Sequence, residues 1–128
     1  MKIPAGLAPS FRRISLVLAR EKGHPDGDAA DRYIIVAPLK SDGRIDPHLW
    51  RQYRAACRVV HDDRDETQVG HLVHGPGGQW SISYDVTGEG DDEAVFHLSD
   101  EQLRPGEYVS VIREGAAHPF RVVAVTPI

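Results

Sequence analysis

Apolar residues recur at every second position in several separate stretches of this chain, and a period of two marks a strand with one face buried. In Phe11–Lys22, Ile14, Leu16 and Leu18 alternate with Ser15 and Val17, and similar patterns run through Val69–His74, Gln79–Asp85, Tyr108–Arg113 and His118–Val125. Tyr33–Leu39 is almost continuously apolar, as a strand buried on both faces is, with Pro38 marking an edge or exit. Ala94–Leu98 adds a short strand. Turn-forming residues separate these stretches, and 23–31 reads as an exposed loop because Gly23-His24-Pro25-Asp26-Gly27-Asp28 offers no apolar anchor.

One segment breaks the alternation. Asp46-Pro47 is a helix start, since Asp caps free amides and Pro is tolerated at the first helical position. The spacing predicts an amphipathic helix over about 47–57, with Leu49, Trp50, Tyr53, Ala56 and Cys57 on the docking face and Arg51, Arg54 and Arg58 in a stripe beside it. The sequence therefore predicts an α+β, mainly β protein. Its expected architecture is an antiparallel curled sheet or small partly open β-barrel carrying one helix, in a single domain over 1–128.

Turn length sets which residues share a face. An even-numbered turn at Gly75-Pro76-Gly77-Gly78 sends His71, Val73, Trp80, Ile82 and Tyr84 to the core, and Leu72, His74, Gln79, Ser81 and Ser83 outward. A four-residue connection at Glu114–Ala117 brings Val109, Val111, Phe120, Val122 and Ala124 together against the core. Ser99-Asp100-Glu101-Gln102 has the capping pattern of a single helical turn.

No apolar run approaches the length of a membrane span or a signal-peptide core, and the single cysteine, Cys57, cannot form an internal disulfide. These features place the chain in the cytoplasm. Charge is unevenly distributed: residues 1–58 hold eleven Lys/Arg against six Asp/Glu, whereas 59–128 hold four against thirteen. Such halves either present a basic face to an anionic partner or neutralise one another, and the second is the expectation here.

Few residues have a pattern that carries chemistry. His71 and His74 form the closest histidine pair, yet an odd spacing on a strand sends them to opposite faces, so a metal would need His71 with Tyr84, or His74 with His61 and Asp62-Asp63. Tyr84 and Asp85 complete the candidate polar site at His71 and His74. The run 85–93 has calcium-like carboxylates without the flanking helices of a calcium loop, so it reads as a solvated turn. Asp85 and Glu107 could form an acid–base pair, but nothing in the sequence brings them together. Cys57 lies on the helix's apolar face, where a thiol packs as a small hydrophobe. No catalytic residue, cofactor site or metal site is assigned.

FRRISLVLA, HLVHGPGGQW and RPGEYVSV together resemble a family of small bacterial proteins with no assigned activity, which implies a bacterial source. The functional expectation is a non-enzymatic binding or accessory module acting on a protein partner or a second copy of itself. Two alternatives stand beside it. One is a nucleic-acid binder using Arg51, Arg54 and Arg58, opposed by the pI of 5.9 and by the placement of Trp50 and Trp80 in the core. The other is a histidine-centred metal protein or enzyme.

Overall fold

In a computed structural model, which describes residues 8–64, 66–75, 79–84, 102–113 and 115–128 and the backbone of 95–96, the alternating stretches form antiparallel strands. They are β1 (Phe11–Leu18), β2 (Asp28–Pro38), β3 (Arg58–Asp63), β4 (Glu66–His74), β5 (Trp80–Tyr84), β6 (Val95–Phe96), β7 (Tyr108–Arg113) and β8 (Ala116–Pro127). Each pairs with the next, and β1 also pairs with β8, from Arg12 opposite Pro127 to Leu18 opposite Phe120. The sheet thus closes into a barrel, joined through β6 by two residue pairs on either side. The register shifts by one residue on β8 opposite Ser15–Leu16 and by three on β2 opposite Val17–Leu18, and these irregularities bend β8 and β2 where the sheet must curl.

Inward-facing side chains fill the interior. Ile14, Leu16, Tyr33, Ile35, Val59, Leu72, Ile82, Val109, Val111, Phe120 and Val122 are each at most 1% exposed, so this is a packed core and not an open channel. The two longer connections that hold described residues at the helix end, 39–57 and 97–107, are tied by Leu103 N donating to Gly43 O at 2.8 Å. Ile45, Trp50 and Leu103 are buried there and plug the barrel.

The helix α1 runs Pro47–Gln52 and continues as a 3-10 turn at Arg54–Ala56. The Asp46 carboxylate accepts from His48 N at 3.0 Å and Leu49 N at 3.2 Å, a cap that contributes about 1 kcal/mol. The Trp50 indole donates to Leu72 O at 2.8 Å, Tyr53 meets Phe11 edge-on, and Cys57 is fully buried. Trp50, Tyr53, Ala56 and Cys57 thus pack as the helical spacing predicts, but the α-helix stops at Gln52 and Arg58, expected in the helical stripe, opens β3.

Three expectations need correction. The loop expected over 23–31 is shorter, because β2 begins at Asp28 and Asp31 already points into the barrel. β3 carries only two consecutive valines and then polar residues, so its period-two signal was too short to read from sequence. On β4 the expected faces are reversed: His74 pairs with Trp80 and Leu72 with Ile82, leaving five residues, 75–79, between the strands. An odd connection shifts parity by one, so Leu72 and His74 face inward while His71 and Val73 face out. In the 108–125 hairpin the observed two-residue connection is even, like a four-residue one, so Val109, Val111, Phe120 and Val122 keep the expected core face, but a register shift on β8 turns Ala124 outward opposite Ser15 and brings Val125 inward opposite Ile14. The helical turn expected at 99–102 and the turn at 87–92 lie largely outside the described residues.

The β4 register predicts a contrast in urea denaturation. Leu72→Ala should cost about 2–5 kcal/mol as a large-to-small change in a closed core, and His71→Ala less than about 1 kcal/mol. The reverse order would restore the even-turn register.

Candidate functional site

Polar side chains enter the barrel at the end opposite the helix. Period-two geometry aims Asp31 and Tyr33 inward from β2, His61 from β3 and Arg113 from β7. His61 Nε2 lies 2.9 Å from Asp31 Oδ1, and Arg113 Nη2 lies 3.0 Å from Asp31 Oδ2. The His61 ring stacks on Tyr33 at 4.1 Å with 7° between planes, and the Arg113 guanidinium sits over the Phe120 ring at 5.4 Å. Since a carboxylate only accepts, the 2.9 Å contact fixes a proton on His61 Nε2. That nitrogen cannot then accept from Arg113, so their 3.4 Å approach is packing.

Burial acts to raise the Asp31 pKa, but hydrogen bonds from His61 and Arg113 outweigh it and hold the carboxyl below its ordinary value. Burial pushes the Tyr33 phenol well up, while Arg113 beside it acts the other way. Asp31, His61 and Arg113 are thus held by one another within the cluster. The arrangement neutralises charge inside a packed barrel, and Asp31 and His61 have only 10% and 8% of their side chains exposed. A second contact near this end joins His118 Nδ1 to Glu21 Oε1 at 3.0 Å, with His24 Nδ1 3.5 Å from Glu21 Oε2.

The structure does not assemble the candidate polar site. His71 is on the outer face, 3.1 Å from Arg58 Nη1, and His74 stacks on Trp80 at 4.2 Å at the helix end. Tyr84 lies on the inner face of β5 at the far end and acts on Tyr33, and Asp85 lies outside the described residues. His61 is also remote from His74, and Asp62 is bonded to Thr67 at 2.6 Å. Among the described residues, no group of three His, Cys, Asp or Glu is placed to hold a metal ion. Burial pushes the Cys57 thiol up to about 12, far from a reactive thiolate. Sequence reasoning did not single out Asp31 or Arg113, and named His61 only as a partner for His74. Polar residues in phase with Tyr33, Ile35 and Val59 were the available signal.

The helix end is basic. Arg51 and Arg54 are exposed, and Arg54 lies over the Trp50 ring at 5.5 Å. Lys40 and Arg104 are exposed nearby, Arg12 bonds only the carbonyls of Pro9 and Phe11, and Asp42 is taken by Arg44 at 2.8 Å. Among the described residues, none of Arg12, Lys40, Arg51, Arg54 or Arg104 has a carboxylate within ion-pair distance. For Arg51 and Arg54 this corrects the expectation that the stripe is neutralised by the acidic half, whereas Arg58 is engaged. The carboxylates of that half that are described sit mostly at the opposite end, at Asp62, Asp63 and Glu66, because β3 and β4 meet there.

Because the folded Asp31 value lies below the unfolded one, 3.8, its contribution is complete above that pH and is lost as pH falls through the lowered folded value. Asp31→Asn should cost about 3 kcal/mol at pH 7, by leaving Arg113 without its carboxylate. It should also flatten the loss of stability below pH 4, measured by urea denaturation from pH 7 to pH 2. Equal acid sensitivity in both proteins would refute this role for Asp31.

Compared with protein-family models, curated proteins and solved structures, the chain matches none of them.

Proposed function

We propose that the chain is a non-enzymatic binding module that engages an acidic protein surface through the basic face at its helix end. The observation that carries this reading is the set of cations there, led by Arg51 and Arg54, with no carboxylate partner among the described residues. Two further features support it. The interior is packed, and its charged groups are engaged with one another, so binding falls to the outer surface. Arg54 is also held on the Trp50 ring, so part of its ordering cost is met before a partner arrives. A buried free cysteine fits a reducing cytoplasm, and the bacterial source implied by the family resemblance belongs to the same proposal.

Nucleic acid is the second reading, favoured by the same arginines. Against it, Trp50 and Trp80 are 7% and 3% exposed, which leaves Tyr108 as the large exposed aromatic among the described residues, and Arg58 already contacts His71.

Chromatography on immobilised polyglutamate and on single-stranded DNA, at ~50 mM salt to weaken screening, separates these readings. The module should be retained on polyglutamate and lose that retention in Arg51→Gln/Arg54→Gln. Flow-through of the native protein would overturn the proposal. Stronger retention on DNA, lost in the same variant, would establish the second reading in its place.

A further inference from the structure

A cleft of about 490 Å³ lies at the helix end between residues 39–43 and 103–105, in the size range of small-ligand sites. Its cationic wall is Arg12, Lys40 and Arg104, none of which has a carboxylate partner among the described residues. Its apolar wall is Leu39, Leu103 and Val125. Ser10 also lines it, and the Ser10 hydroxyl is shielded from solvent with no hydrogen-bond partner among the described residues. Such a group is rare and calls for an explanation. Gly43 keeps Arg104 at the cleft: its φ is +88°, and a Cβ there would lie 3.3 Å from Arg104 Cγ and Nε.

We propose that this cleft binds a small organic phosphate monoester. Lys40 and Arg104 neutralise the dianion, Arg12 adds long-range attraction, the Ser10 hydroxyl turns from its shielded position to donate to a phosphate oxygen, and the ester's apolar body lies against Leu39, Leu103 and Val125. A dianion is favoured over a carboxylate because attraction to the three cations scales with its charge. A bare phosphate leaves the apolar wall wet, so the organic group adds affinity. The inference goes beyond the docking of an acidic protein and rests on different residues.

Isothermal titration of the native protein with phenyl phosphate, inorganic phosphate and benzoate at ~20 mM salt tests it. Phenyl phosphate should bind at least about tenfold more tightly than either comparison anion, a difference of about 1.4 kcal/mol. Lys40→Gln/Arg104→Gln should weaken it about tenfold or more, and Ser10→Ala about threefold, with folding checked by circular dichroism. Arg51→Gln/Arg54→Gln should weaken it less than about threefold, through long-range attraction alone. No binding of phenyl phosphate, benzoate binding as well as the phosphate, or equal loss in the Arg51/Arg54 variant would overturn the proposal. Phenyl phosphate binding without polyglutamate retention would reject the protein-docking reading alone, and the converse would reject the cleft alone.

Discussion

The pairing of β1 with β8 is the interaction on which the rest of the structure depends. It joins Arg12–Leu18 to Phe120–Pro127 across nearly the whole sequence, so its loop-closure cost falls on the entire domain. In return it removes two sheet edges and places Ile14, Leu16, Phe120 and Val122 in one core. It also aligns the two ends. With eight strands paired in chain order, 39–57 and 97–107 leave from one end, and β3 and β4 meet at the other.

Closure explains the two kinds of charge. Inside, a packed barrel accepts ionisable groups only when they compensate one another, and Asp31, His61 and Arg113 do so at 2.9–3.0 Å. Outside, the strand order sends Lys40, Arg51, Arg54 and Arg104 to one end and Asp62, Asp63 and Glu66 to the other. Among the described residues, the cations of the helix end and the carboxylates of the β3–β4 end thus lie apart, while Arg64–Asp28 and Arg113–Asp31 pair across the two sequence halves. An anionic partner, in the proposed function, meets the helix end first.

The parts legible in the sequence were those fixed by local chemistry. Asp46-Pro47 announced the cap, the alternation of Ile14, Leu16 and Leu18 announced β1, and Trp50, Tyr53 and Cys57 announced the docking face. What escaped depended on long-range geometry. The parity of the 75–79 connection decided whether His71 or Leu72 faces the core, and one residue more or less reverses the answer. Asp31 resembled a loop residue until pairing with β3 drew it inside. The basic cleft joins connections about sixty residues apart, and no local pattern records such a meeting.

The claim of closure is tested most directly by native-state amide hydrogen exchange. The account predicts that the amides bonded across the seam between β1 and β8 exchange only through global unfolding, as slowly as those between β1 and β2. Fast exchange confined to that seam, with β1–β2 still protected, would mean an open sheet and would contradict the account.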